Sequence, residues 1–150
     1  MTRNPNENLH VSFADVDEYL CLDPRDVARK ITPKTRAVLF VGYGGRVGRL
    51  DVIIALCKAH GLKLILDAAH MAGTKVGGIC PGTWDGVDVA VYSFQAVKNL
   101  PTGDSGMICF AEEENDRLAR QLAWLGINKD TYARSNAGTY KWKYDVDYVG

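Results

Sequence analysis

Ala37-Val38-Leu39-Phe40-Val41, then Gly42-Tyr43-Gly44-Gly45, then Leu50, Ile53, Ile54 and Cys57, then Leu62-Lys63-Leu64-Ile65-Leu66 and Asp67: this stretch reads as strand, turn, helix, strand. An unbroken apolar run closed by glycines is the mark of a buried parallel strand. The four apolar residues from Leu50 follow the i, i+3, i+4, i+7 spacing of an amphipathic helix. His60-Gly61 suits its end, with a cation in the last turn and a glycine after it.

Working outward, residues 11–16 (Val11-Ser12-Phe13-Ala14-Asp15-Val16) alternate enough to predict a short strand. Asp23-Pro24 predicts a helix start, a capping side chain followed by proline at the first helical position. Val27 and Ile31 would give that helix its apolar face. Residues 87–94 predict a further strand after a turn-rich stretch, and Met107-Ile108-Cys109-Phe110 another. Glu112, Glu113 and Glu114 would open a final helix, where negative charge suits the amino-terminal dipole. Leu118, Leu122 and Leu125 would form its buried face, with Glu113–Arg117 and Asp116–Arg120 as surface pairs. The order of elements predicts an α/β fold with an at least partly parallel sheet. Ligands in such sheets bind beyond the carboxyl ends of the strands, which marks 42–48, 67–70 and 93–98.

The chain has 150 residues, 47% of them hydrophobic and 24% charged, which argues against disorder, collagen and coiled coil. Eighteen basic and eighteen acidic residues cancel, so bulk charge points to neither a nucleic-acid nor a membrane-surface partner. The apolar runs are too short to span a bilayer, and the first ten residues are polar with no signal-peptide core. Cys21, Cys57, Cys80 and Cys109 form no CxxC pair, and Cys57 and Cys109 read as small core residues. Trp84, Trp124 and Trp142 read as packing. A cytoplasmic location is expected.

Two functional readings fit the three strand ends. In the first, Gly42-x-Gly44-Gly45-x-x-Gly48 and Asp67 form a dinucleotide site, although the strict pattern from Gly42 would need glycine where Val47 stands. Glycines serving only the strand-to-helix turn would look the same. The second uses all three ends. Asp67-Ala68-Ala69-His70, then Ser93-Phe94-Gln95-Ala96-Val97-Lys98-Asn99-Leu100, then Thr102-Gly103-Asp104-Ser105-Gly106, resemble in order and spacing the motifs of the DegT/DnrJ/StrS family. These are pyridoxal-phosphate-dependent sugar aminotransferases. The likeness extends upstream through 13–17 and 31–37 and downstream through 125–131 and 144–150, nearly the whole chain. One departure is Gly42, where the family often has histidine.

The resemblance implies roles. Lys98 would be the amine that bonds the cofactor's aldehyde carbon and afterwards moves the proton. Asp67 would partner the pyridine nitrogen, whose protonation makes the ring an electron sink. His70 would lie near the cofactor's phenolic oxygen and Ser93 would hydrogen-bond its phosphate. The catalytic pair is thus Lys98 and Asp67, with His70 and Ser93 in cofactor binding and no metal. Relatives that dehydrate sugars carry histidine where this chain has Lys98, which disfavours that chemistry.

The same resemblance implies a three-layer α/β/α fold with a mostly parallel sheet, part of the large domain of a fold-type-I pyridoxal-phosphate enzyme. Residues 1–150 would be a partial large domain, lacking the amino-terminal phosphate cradle and the carboxyl-terminal small domain. The parent would be a homodimer with shared active sites. It would move an amino group from glutamate or glutamine to a nucleotide-linked keto sugar, in polysaccharide or antibiotic-sugar biosynthesis. The isolated chain would be poorly active and prone to self-association. The alternatives from other classes are a non-catalytic dinucleotide-binding α/β module and a remnant with no ligand.

Overall fold

The computed structural model of the chain describes residues 9–123. They fall in two compact units, Met1–Cys109 and Phe110–Gly150. The first unit opens with α1 (Pro24–Lys30), in which Asp23 caps the helix by accepting from the Arg25 N–H and Pro24 fills the first turn. Strand β1 (Ala37–Val41) follows, then a single 3-10 turn (Tyr43–Gly45), α2 (Leu50–His60) and β2 (Lys63–Asp67). A second 3-10 turn (Pro81–Thr83) precedes β3 (Val89–Ser93), and β4 (Gly106–Phe110) completes a sheet of order β1-β2-β3-β4.

Strands β1 and β2 are parallel and in register from Ala37 opposite Lys63 to Val41 opposite Asp67. Strand β3 runs parallel to β2, with Asp67 opposite Val91. A side-chain period of two sends alternate residues to opposite faces. Val38, Phe40, Leu64, Leu66, Ala90 and Tyr92 point to the covered face, where Leu50, Ile53, Ile54 and Cys57 of α2 join them in one core. Each fully buried large apolar side chain there contributes roughly 1.5–3 kcal/mol over leaving it in water. Burial also pushes the Cys57 thiol up to about 11, so it stays protonated and behaves as a core residue. Trp84 packs against the same core, half-buried.

The other face is open among the described residues. Leu39, Val41 and Val91 are 55%, 41% and 38% exposed. The apolar run of β1 predicts burial on both sides, and only one side has a helix layer here: the described unit supplies the sheet and the layer made by α2 and α1. The strand expected at 11–16 is absent. Val11 and Phe13 are 79% and 84% exposed, and a single antiparallel bridge joins Val16 to Leu22. The Asp17 carboxylate accepts from the Tyr19 and Cys21 amides and Leu20 takes a φ of 59°, so the chain turns back before a ladder can form.

In the second unit α3 (Glu113–Leu122) begins with Glu113, Glu114 and Asp116 in its first turn. Both expected surface pairs form, Arg117–Glu113 at 3.5 Å and Arg120–Asp116 at 2.8 Å. The expected buried face does not. Leu118 is half-buried and Leu122 exposed, because two leucines on a charged helix meet no apolar surface among the described residues of their own unit. Leu125, Trp124, Trp142 and the stretches 125–131 and 144–150 lie outside the described residues.

Two glycines separate backbone strain from packing. A Cβ on Gly61, the left-handed residue that ends α2, would meet nothing within 4 Å. A Cβ on Gly48 would lie 2.7 Å from the Cys21 Cβ and 3.0 Å from its sulfur, at a φ of +50°. Gly61→Ala should therefore cost about 1–2 kcal/mol, the left-handed strain alone. Gly48→Ala should cost about 1–3 kcal/mol more, from overpacking against buried Cys21. Urea unfolding of both variants measures the difference, and equal costs would show that Cys21 yields freely.

Candidate active site

Parallel strands deliver their carboxyl ends to one edge of the sheet, and three loops meet there. The first leaves β1. The Gly42 N–H donates to the Asp67 carbonyl at 2.9 Å, continuing the β1–β2 ladder by one bond. No side chain fits at this position, since a Cβ on Gly42 would sit 2.1 Å from the Met71 sulfur and Met71 is almost wholly buried.

The second loop leaves β2 and carries Asp67 and His70. Asp67 is half-buried on the open face of the sheet. Its Oδ1 accepts from the Ala69 N–H at 3.0 Å, which fixes the carboxylate and leaves its second oxygen as an acceptor. The Met71 N–H donates to the Ala68 carbonyl at 2.8 Å, tightening the turn that presents His70. The His70 ring lies edge-on to Tyr43, with centroids 5.8 Å apart and planes at 67°. Its Nδ1 accepts from the Gly44 N–H at 3.3 Å.

The third loop leaves β3 at Ser93 and carries Lys98. The Gln95 N–H donates to Ser93 Oγ at 3.5 Å, and the Lys98 N–H to the Gln95 carbonyl at 2.9 Å. Asn99 Nδ2 donates to the Ala72 carbonyl at 2.6 Å, clamping this loop onto the turn after His70. Lys98 Nζ then lies 3.1 Å from His70 Nε2. Lys98 and His70 therefore meet directly, and Asp67 stands three residues before His70 at the head of the same turn. Ser93 shares the open face with Asp67 and is tied to the lysine loop through Gln95. An amine, an imidazole, a carboxylate and a hydroxyl gathered at one sheet edge fit an aromatic aldehyde bearing a phosphate and a ring nitrogen. Among the described residues no cluster of His, Cys, Asp and Glu is arranged to hold a metal.

The glycine run at 42–48 does something other than cradle a phosphate. The Gly42, Gly44 and Gly45 amides donate to Asp67, His70 and the Gly42 carbonyl respectively, so they are spent within the protein. Sequence reasoning missed Tyr43, Met71 and Asn99, and read Gly44 only as part of a dinucleotide loop, where its amide instead donates to His70. The signal for Tyr43 and Gly44 was their place at a strand end beside that of Asp67.

The chain matches the family model for DegT/DnrJ/EryC1/StrS aminotransferases over residues 6–144. It is 41% identical over 132 residues to the dTDP-4-dehydro-2,3,6-trideoxy-D-glucose 4-aminotransferase of Saccharopolyspora spinosa, across 87% of this chain and 34% of the relative. It is 34% identical to a protein of Micromonospora echinospora named "Putative L-glutamine:3-amino-2,3-dideoxy-scyllo-inosose aminotransferase", across 88% of this chain and 31% of that one. Among solved structures it is similar to the aminotransferase TlmJ of Streptoalloteichus hindustanus, at 40% identity and a TM-score of 0.78, over 92% of this chain and 34% of that one. The chain thus spans about a third of the length of the relatives it matches. By sequence, by fold and by the order of its motifs, it belongs to the DegT/DnrJ/EryC1/StrS aminotransferase family.

Proposed function

We propose that this chain is the central part of the large domain of a pyridoxal-phosphate-dependent aminotransferase. The enzyme moves an amino group from glutamine or glutamate to the keto group of a sugar, in the making of polysaccharide or antibiotic sugars. The observation that carries this is the meeting of Lys98 Nζ and His70 Nε2 at 3.1 Å, on the turn headed by Asp67. The names of the relatives support both halves: one is named for the 4-amination of a dTDP-linked dehydro sugar and the other for L-glutamine. The whole enzyme acts as a cytoplasmic homodimer with shared sites. No helix among the described residues is long and apolar enough to cross a membrane.

Pyridoxal phosphate is the family's cofactor, and when bound it supplies an electron sink for the pair released when the carbon–hydrogen bond beside the amine breaks. The protein groups do the rest. Lys98 Nζ would hold the cofactor through its aldehyde carbon and would take up and return the proton. The Asp67 carboxylate, aimed by the Ala69 amide, would hold a proton on the ring nitrogen. His70 would orient Lys98, and Ser93 Oγ would donate to the phosphate.

Borohydride reduction of the whole enzyme with pyridoxal phosphate, followed by peptide mapping, should place the label on Lys98. A label on another lysine with Lys98 free would overturn the assignment. In the whole enzyme, Asp67→Asn keeps an oxygen for the Ala69 amide, so the turn should persist. A neutral amide cannot hold the ring nitrogen protonated, so turnover should fall by about 10²-fold or more while cofactor content stays near normal. Steady-state rates and cofactor absorbance read the two effects separately, and near-normal turnover would make Asp67 only a cap for its turn.

A further inference from the structure

We propose that Asn99 is a positioning residue for Lys98: its side-chain amide latches the lysine loop onto the His70 turn and so sets where Lys98 Nζ stands. The proposal rests on the reading of Lys98 as the amine that holds the cofactor. The loop from 94 to 102 has little else to hold it in place. The Phe94 N–H donates to the Ser105 carbonyl at 2.8 Å and the Thr102 N–H to the Phe94 carbonyl at 2.9 Å, which closes the loop on itself and on the segment that follows it. The bond from the Lys98 N–H to the Gln95 carbonyl lies inside the loop. Apolar packing adds little, since Val97 and Leu100 are both exposed. Among the described residues, only the Asn99 amide and the Lys98 amine join this loop to the turn from 67 to 74. A flexible four-carbon side chain cannot fix its own backbone, so that task falls to Asn99.

The acceptor is a firm anchor. Ala72 lies in a turn closed by the Thr74 N–H on the Met71 carbonyl at 3.0 Å, with Gly73 at a φ of 84°. Met71 is buried, and Thr74 Oγ1 donates to the Gly45 carbonyl at 3.2 Å, so the core and the first loop both hold this turn. The Ala72 carbonyl accepts from Asn99 Nδ2 at 2.6 Å. Asn99 follows Lys98 directly, so the latch acts one residue from the amine. Holding a nucleophile within reach of its target removes part of the entropic cost of attack. A carbonyl can only accept, so the residue at 99 must donate. Leucine has nearly the size of asparagine and no polar group, and an ionised aspartate has its shape and only acceptor oxygens.

The test uses the whole enzyme freed of cofactor. Pyridoxal phosphate is added over a range of concentrations, borohydride stops the reaction at timed intervals, and peptide mapping measures the label on Lys98. The limiting first-order rate constant reports how often the amine stands within reach. The half-saturating concentration reports how well other groups hold the cofactor. One hydrogen bond of this kind is worth a factor of about two to ten. Asn99→Leu and Asn99→Asp should both lower the limiting rate constant by that factor and leave half-saturation unchanged. A variant that merely folds less well gives less label at the same rate constant. Equal rate constants in the three proteins, or a change confined to half-saturation, would overturn the proposal. A second measurement needs no cofactor: amide hydrogen exchange across residues 94–102 should quicken by a similar factor in both variants, and unchanged exchange would also overturn it. If borohydride labels a different lysine in the unsubstituted enzyme, the reading of Lys98 as the cofactor's amine fails. Exchange then decides the latch by itself, faster exchange supporting it and unchanged exchange refuting it.

Discussion

Phe40, Leu50, Ile53, Leu64 and Leu66 are completely removed from water, and the rest of the first unit depends on that contact between two parallel strands and one helix. It fixes the register in which Val41 lies opposite Asp67 and Asp67 opposite Val91. A slip of one residue would send Phe40, Leu64 and Leu66 to the open face, and Asp67 into the core. The buried face is therefore what keeps a carboxylate at the strand end, on the side away from α2. Apolar packing sets the position of the polar groups, and the short bonds at the edge only refine it.

The refinement works by joining loops to one another. Gly42 to Asp67, Gly44 to His70 and Asn99 to Ala72 link all three loops through one shared element, the turn from 67 to 74. Each link is individually small, about 0.5–1.5 kcal/mol for a neutral hydrogen bond. Their effect is geometric: Lys98, with a long and otherwise mobile side chain, is held beside a ring whose own position is set by a glycine amide. That explains why glycine is needed at 42 for reasons unrelated to phosphate binding. A side chain there would displace Met71, and Met71 supports the turn that carries His70.

How much of this was legible in the sequence varied with the physical origin of each feature. Strands β1 and β2 and helix α2 were legible because period and caps agree: Leu50, Ile53, Ile54 and Cys57 are all buried and Gly61 is left-handed. The strand at 11–16 was misread because alternation is necessary for a strand and a partner is also required. The chain turns at Leu20 and offers one bridge. The face of α3 was misread because a leucine spacing names a stripe without naming what covers it. For the site, Asp67, His70, Ser93 and Lys98 were nominated as a set by their resemblance to the family's motifs, and the structure brings Lys98 and His70 to 3.1 Å of each other. The roles of Tyr43, Gly44 and Asn99 were hidden, since two act through backbone groups or ring edges and the third through a carbonyl far away in sequence.

The open face of the sheet links the remaining two facts. Leu39, Val41 and Val91 are exposed on it, and Asp67 and Ser93 stand on the same side at the carboxyl edge. Parallel sheets are stable with both faces covered, so anything that removed these side chains from water would lie beside the polar groups as well. Excluding water at that edge would strengthen the pairing of Asp67 with a ring nitrogen, as electrostatic interactions gain when solvent leaves. The Lys98–His70 contact is already made within the described residues. What positions the lysine is thus built into this segment, whereas the pairing of Asp67 gains from whatever covers the open face.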